Sequence, residues 1–287
     1  MSIPITVIIA VRNEVKNLPA CLLSIEDMDQ VIVVDSHSTD GTERVATSMG
    51  AEVTQFTYDG GWPKKRNWAL RNLSIRNEWV LVLDADERLD DELRREIVEA
   101  IGSAAHDGYY LRWKFYFLGR WMKHCWRHGW MLRLFKHGKA EYEDLGLRLE
   151  GGWDAEVHEN IVLKSGHAAS LKNWLIHDSK EDLTYWIGKQ NEFSTWNAKR
   201  RERQLGESMP KITELFSSDP LRRRKYLKTI FIRLPFRSLG MFLWLYIFNF
   251  GFLDGKAGYY FCRLRANHEF NINAKNFELK LHKNSAD

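Results

Sequence analysis

The sequence predicts an α/β fold, a mostly parallel sheet with helices on both faces, followed by a helical appendage that is both basic and apolar. Three observations carry this prediction. Through the first third of the chain, β-branched runs of strand length alternate with segments of helical spacing. Polar residues recur directly after the apolar runs, at Asn13, Asp35 and Asp84. Later in the chain the strand signals stop, and stretches rich in Lys, Arg and aromatic residues take over.

Taken in order, Ile5-Thr6-Val7-Ile8-Ile9 is a continuous run of the kind that parallel strands buried on both faces show. Residues 13–25 read as a helix, with apolar spacing at Val15, Leu18 and Leu22. Val31-Ile32-Val33-Val34 is a second strand, and 39–49 a second helix opening near Thr39 or Asp40. Residues 51–57 read as a third strand, 62–73 as a third helix and 79–83 as a fourth strand. Ligands of such sheets bind beyond the carboxyl ends of the strands, where Asn13, Asp35 and Asp84 fall. From Gly108 to Lys172 the pattern changes: Tyr109 to Phe115 alternates like a strand, and loops rich in Gly, Trp and His follow. After Asp182 the chain is helical and basic, and residues 239–253 are apolar almost throughout. That run falls short of the roughly 20 residues needed to span a bilayer. These shifts divide the chain into a first domain, 1–180, with halves 1–105 and 106–180, and a helical C-terminal region, 181–287.

With 287 residues, 44% of them hydrophobic, the chain can build one large core or a core plus an appendage. Its 12 Trp suggest interfaces, carbohydrate stacking faces or a membrane surface. The net charge of +4 is modest, but residues 199–233 hold 11 Lys/Arg against 4 Asp/Glu. Cys21, Cys125 and Cys262 are scattered without a C-x-x-C, which argues against a disulfide framework or thiolate zinc site and fits a reducing cytoplasm. The N-terminus reads as a strand, so no signal peptide is expected. Basic residues beside aromatics also raise nucleic-acid binding. The 239–253 run is too hydrophobic for that use and no RNA-binding motif accompanies it, so no nucleic-acid partner is expected.

The most informative feature is Asp84-Ala85-Asp86-Glu87, directly after Trp79-Val80-Leu81-Val82-Leu83. Carboxylates clustered at a strand tip are unfavourable unless a cation or a set of donors offsets them, and a hard divalent ion bridging to a diphosphate is the usual use. Capping of the following helix is the alternative. Three further motifs precede it in order: Ile8-Ile9-Ala10-Val11-Arg12-Asn13-Glu14, then Val33-Val34-Asp35-Ser36-His37-Ser38-Thr39-Asp40-Gly41-Thr42, then Lys64-Lys65-Arg66-Asn67-Trp68-Ala69-Leu70. Together they resemble the family 2 glycosyltransferases, and more closely the small bacterial branch that adds glucose-type sugars to lipopolysaccharide core or related surface glycans. The resemblance covers 3 to about 100 strongly. It reaches about 180 more weakly, through Arg133-Leu134-Phe135, Val157-His158-Glu159 and Ile176-His177.

The resemblance implies a GT-A fold, a Rossmann-like mostly parallel sheet, and an inverting, metal-dependent hexosyltransferase using Mn²⁺ or Mg²⁺. It places Asp86 on the metal and Asp84 near the ribose. Asp35 would take the base or ribose, and Ala10, Arg12, Asn13, Glu14, Ser36 and Ala85 would line the nucleotide-sugar site. Ser36 stands where the family often has a second acid, and Arg12 where it often has a tyrosine; Arg12 could stack on a base. Asn13 and Glu14 could instead cap the first helix. Arg66 would approach the diphosphate, although charged runs are usually solvated faces. The resemblance favours Glu159 as the general base, chosen among Asp154, Glu156 and Glu159, with a salt bridge as the alternative role. It also brings a downstream His to the metal, here His177, with a core histidine as the alternative. His124, His128 and His137, beside Trp121, Trp126 and Trp130, read as an acceptor-side loop with stacking faces.

The expected donor is a nucleotide sugar, a UDP-sugar by family habit. The expected acceptor is a hydroxyl of a lipopolysaccharide core or other lipid-linked glycan. Arg222-Arg223-Arg224-Lys225 ahead of the apolar run suits peripheral contact with an anionic leaflet, placing the protein at the cytoplasmic face of the inner membrane. A homo-oligomer contact is the alternative use of that run. Two other readings compete. A sugar-phosphate nucleotidyltransferase would carry a Gly-rich loop after the first strand, where this chain has Val11-Arg12-Asn13-Glu14. A non-catalytic, membrane-docked nucleotide-binding module would have no need of the intact Asp84/Asp86 pair.

Overall fold

The computed structural model describes residues 2–284 except 104, 127–128, 145–158, 207, 210, 217–219 and 235. It divides into two compact units, Met1–Trp121 with His128–Glu181, and Met122–Arg127 with Asp182–Asp287.

The first unit runs β1 (Ile3–Val11), α1 (Leu18–Leu23), β2 (Met28–Asp35), α2 (Thr42–Ser48), β3 (Glu52–Gln55), α3 (Lys65–Asn72), β4 (Trp79–Asp84), β5 (Glu87–Arg88) and α4 (Asp91–Ser103). It continues with β6 (Gly108–Phe117), β7 (Arg120–Trp121), β8 (Met131–Lys136), β9 (Ala140–Tyr142), β10 (Ile161–Leu163) and β11 (Ala168–His177). The main sheet has the order β3-β2-β1-β4-β8-β6-β11-β5. β3, β2, β1 and β4 are mutually parallel, β8 runs antiparallel between β4 and β6, and β11 is parallel to β6. This is the mixed, largely parallel α/β sheet expected of the GT-A fold.

The alternation of β1 explains why both faces are covered. Val7, Ile9 and Val11 pack with Leu18, Cys21, Leu22, Leu93 and Ile97 on one side, while Ile8 joins Ile32, Val34, Val80, Ala69 and Leu70 on the other. A strand apolar at every position must be buried on both faces. The topology also sets the functional edge. The parallel strands end at Val11, Asp35 and Asp84; antiparallel β8 begins at that edge with Met131 to Arg133; and β11 ends there with His177, paired to Phe115 and Glu87.

Several boundaries differ from the sequence reading: the second helix begins at Thr42 rather than near Thr39 or Asp40, and the third strand is only Glu52–Gln55. The first helix spans only Leu18–Leu23 rather than 13–25, because Asn13 is in the left-handed region (φ 56°) and ends the strand in a turn. Asn13 therefore caps no helix: its N–H donates to Ser38 Oγ and its Oδ1 accepts from Thr39 N–H. The third helix starts at Lys65, not 62, after an extended Lys64.

The second unit is helical: α5 (Leu183–Gly206), α6 (Pro220–Phe231), α7 (Arg237–Leu243) and α8 (Gly255–Asn284), with a wide turn at Trp244–Phe248 and a tight one at Gly251–Asp254. Gly251 must be glycine because a Cβ there would lie 2.6 Å from the Leu245 carbonyl oxygen and 2.8 Å from Cys125 Cβ. Asp254 accepts the backbone N–H groups of His124 and Cys125 at 3.0 and 2.9 Å and pairs with the His124 ring at 2.8 Å. α5 and α8 share a buried polar seam in which Arg201 donates twice to Glu269. In the same seam His268 faces the Gln190 carbonyl and Asn197, with Arg265, Glu269 and Arg201 around it. Burial, with Arg265 adding, pushes its imidazole down to about 4. The unfolded state then binds this proton first as pH falls, so His268 supports the fold above its unfolded value near 6.5 and that support is lost down to about 4. A melting curve should drop across that window in wild type, and His268→Gln should flatten the drop; parallel curves for the two proteins would refute it.

Candidate functional site

The site begins at the end of β4. Asp84 and Asp86 are each 24% exposed at the side chain, whereas Glu87, on the adjacent β5, is fully buried. Glu87 is held by three donors: the Asp84 N–H at 2.8 Å, an Arg133 guanidinium nitrogen at 2.9 Å and the Trp113 indole N–H. Arg133 also reaches Asp84 Oδ2 at 3.2 Å, and Arg66 bonds the other Asp84 oxygen. Burial raises the Asp84 carboxyl, but Arg66 and then Arg133 outweigh it and hold it well below the usual carboxylate range. Burial pushes Glu87 up, to about 8, with Asp84 and Asp86 adding to it against Arg133. Asp84 is thus a fixed anion clamped by two guanidiniums.

Asp86 differs. Among the described residues its carboxylate accepts no hydrogen bond, and its one ion-pair-range partner is His177, whose Nε2 lies 3.6 Å from Asp86 Oδ2. The imidazole is set by stacking on Trp113 and Phe115, with ring centroids 4.7 and 5.3 Å away, and its Nδ1 stands 4.0 Å from Glu87. A free carboxylate facing an aromatic-clamped imidazole is a donor pair that suits Mn²⁺ and tolerates Mg²⁺. Among the described residues no group of three or more His, Cys, Asp or Glu has metal-holding geometry.

The basic run is buried rather than solvated. Lys64, Lys65, Arg66 and Asn67 are all turned inward at the start of α3. Lys65 Nζ donates to the Val11 carbonyl at 2.7 Å, Asn67 bonds the Tyr142 backbone, and Lys64 pairs with Glu159 at 2.6 Å. Glu159 is therefore a buried ion-pair partner in this structure. Asp154, Glu156 and His158 lie outside the described residues, as does His128.

On the other flank, Asp35 is fully buried and accepts the Ser38 N–H and hydroxyl and the Gln55 amide. Ser36 Oγ is buried with no hydrogen-bond partner among the described residues. Glu14 accepts from the Asn17 amide, and its N–H donates to Thr42 Oγ1, so the 13–17 turn is locked to the 38–42 turn. Arg12 is exposed beside them, Ala10 sits in register between Val34 and Asp84, and Ala85 is buried at the strand tip. The edge thus gathers Asp35, Arg66, Asp84, Asp86, Arg133 and His177 from four strands, the turn after β4 and a helix. The sequence reading gave Arg133, Glu87 and Trp113 no role; the Arg133-Leu134-Phe135 motif was the signal that could have found the first.

Members of the expected histidine- and tryptophan-rich loop have separate partners, each within its own unit. His124 is bound to Asp254, Trp126 packs on Phe261 and under Arg265, and His137 contacts the Leu70 carbonyl. Trp130 and Trp174 instead sandwich Arg112, each with its ring centroid 4.2 Å from the guanidinium.

Acids, guanidiniums and an imidazole gather beyond the carboxyl ends of parallel strands, the edge at which α/β proteins with open sheets bind their ligands. A family model described as Glycosyl transferase family 2 matches residues 6–150, and the chain belongs to that family. It is 28% identical over 252 residues to the lipopolysaccharide core biosynthesis glycosyltransferase LpsC of Rhizobium meliloti (strain 1021), covering 82% of each chain. It is 36% identical over 106 residues to an uncharacterized glycosyltransferase of Rickettsia bellii (strain RML369-C), covering 37% of this chain and 35% of that one. Among solved structures it is similar to the mannosyltransferase PcManGT from Pyrobaculum calidifontis in complex with GDP-Man and Mn²⁺, at 15% identity and a TM-score of 0.48, covering 96% and 88% of the two chains.

Proposed function

We propose that this family 2 transferase is an inverting, metal-dependent hexosyltransferase. It moves a hexose from a UDP-sugar to a hydroxyl of a lipopolysaccharide core or other lipid-linked glycan, at the cytoplasmic face of the inner membrane. The observation that carries the reading is the pairing of Asp86 with His177 across the strand edge, beside an Asp84 already neutralised by two arginines. The similarity to LpsC over most of both chains supports the glycan class.

In this reading Asp86 and His177 would hold Mn²⁺ or Mg²⁺, which when bound would supply charge neutralisation for a diphosphate leaving group. Arg66, braced by Asp84, lies toward the diphosphate and adds to that neutralisation. Asp84 and Ala85 border the ribose; Ala10, Arg12, Asn13, Glu14, Asp35 and Ser36 border the base and ribose, with the orphaned Ser36 hydroxyl taking a nucleotide polar atom. Glu159 takes the proton from the attacking acceptor hydroxyl, whose oxygen bonds to the anomeric carbon as the bond to the nucleoside diphosphate breaks. For this it must exchange Lys64 for the acceptor.

A thermal-shift screen of nucleotide sugars with and without Mn²⁺ tests the assignment. Ligand at a hundred times its Kd adds about 2.7 kcal/mol, so a UDP-hexose with Mn²⁺ should raise the melting temperature by several degrees. Failure of every nucleotide sugar to do so would remove the reading. Glu159→Gln should keep the donor-induced shift and lose roughly 10²- to 10⁴-fold in transfer; near wild-type transfer would place the base elsewhere.

A further inference from the structure

The second unit carries an apolar corner that no other described part of that unit covers. The segment Arg237–Phe248 meets Gly251–His282 at 73°, and no single described helix is long and apolar enough to cross a membrane. Of the wide turn only Leu245 is buried. Phe236, Leu239, Trp244 and Phe248 are 81%, 57%, 57% and 66% exposed. So many large apolar side chains in one short segment mark an interaction surface.

Charge selects the occupant. Residues 122–127 and 182–287 hold 21 Lys/Arg against 10 Asp/Glu, a surplus of 11, while the rest of the chain holds 21 against 28. A second copy would set two such surpluses against each other; an anionic lipid surface complements them. Arg237 adds a specific feature. It is 8% exposed, yet among the described residues its guanidinium makes no hydrogen bond or ion pair, and its Nε is buried without a partner. The charges acting on it are Arg201 and Glu269, and Glu269 is already bound twice by Arg201. A buried cation without a counter-ion is costly, and this one opens the helix that bears Leu239.

We infer that this corner, from Phe236 through Phe248, beds on an anionic phospholipid surface, with the aromatic side chains among the acyl chains and Arg237 holding a head-group phosphate. The inference rests on the membrane-face location proposed above and names the residues and lipid chemistry that would produce it.

The test is sedimentation of the purified full chain with vesicles of phosphatidylcholine, alone or mixed with phosphatidylglycerol. Binding to the mixed vesicles should exceed binding to phosphatidylcholine by at least about tenfold and weaken with added salt. Trp244→Glu combined with Phe248→Glu should reduce it by about tenfold or more without moving the melting temperature, since both side chains are largely exposed. Arg237→Gln should lose most of the preference for phosphatidylglycerol and Arg237→Lys should keep part of it. Absence of vesicle binding, or wild-type binding by the double glutamate variant, overturns the inference. So does a dimer in solution that the double variant dissociates. Manganese-dependent hydrolysis of the donor, measured on the same preparation, separates the two claims. Hydrolysis without vesicle binding overturns only the docking surface. Vesicle binding without hydrolysis supports the surface and overturns the transferase reading.

Discussion

Asp86→Ala should lower glycosyl transfer by at least about 10²- to 10³-fold, the scale seen when one electrostatic contact to the reacting charge is removed, and leave the fold intact. The asymmetry between the two acids is the reason. Asp84 is clamped by Arg66 and Arg133, whereas the Asp86 carboxylate accepts no hydrogen bond among the described residues and meets only His177 at 3.6 Å. Removing Asp86 thus breaks no buried ion pair, so the melting temperature in chelator should stay near wild type. The Mn²⁺-dependent part of the donor-induced thermal shift should vanish with the activity. His177→Ala is the companion variant. It removes the facing nitrogen and the stacking on Trp113 and Phe115, and should weaken Mn²⁺ dependence with a modest loss of stability. An Asp86→Ala protein that transfers at the wild-type rate would refute the metal role. One that is inactive because it unfolds would show that Asp86 is structural, and the melt in chelator distinguishes the two.

What could be read in the sequence was what obeys a local period. The β1 and β4 runs had to be buried on both faces, and from that the parallel order and the edge holding Asp35 and Asp84 followed. Positions that depend on contacts between distant segments were less legible. Asn13 in the left-handed region shortened the first helix, although nothing in its apolar spacing forbade a longer one. The sequence brought Arg66 toward the diphosphate with a solvated face as the alternative for the run, but not the partners that bury it: a strand-end carbonyl, Asp84 and Glu159, from three separate parts of the chain. Arg133 sits on an antiparallel strand inserted beside β4, so its place against Asp84 and Glu87 is a consequence of strand order, which apolar periodicity does not encode. His177 was reached through family resemblance, and the parallel pairing of β11 with β6 supplies the physical reason it arrives at that edge.

Glu87 is where the cost of this edge is concentrated, and Glu87→Ala should destabilise the first unit by about 3–5 kcal/mol, because it strips the shared acceptor from three buried donors at about 1–3 kcal/mol each. Arg133, 7% exposed, would keep only the 3.2 Å contact to Asp84, and both the Asp84 N–H and the Trp113 indole N–H would lose their acceptor. Glu87→Gln keeps the shape and one acceptor oxygen, and should cost about 1–3 kcal/mol. The pH dependence sharpens the difference. With its folded value pushed up to about 8 against 4.5 when unfolded, Glu87 contributes stability that is complete below about 4.5 and is lost as pH rises through about 8. In chelator, wild type should therefore lose melting temperature between about pH 4.5 and 8 more steeply than Glu87→Gln, which cannot ionise. A double substitution, Glu87→Ala with Arg133→Met, removes both charges together. It should cost less than the sum of the single changes, by roughly 0.5–3 kcal/mol of coupling. Additive losses would mean that Arg133 draws its compensation from Asp84 alone, and that Glu87 is a buried neutral acid whose role is to hold the Asp84 N–H and the Trp113 ring beneath His177.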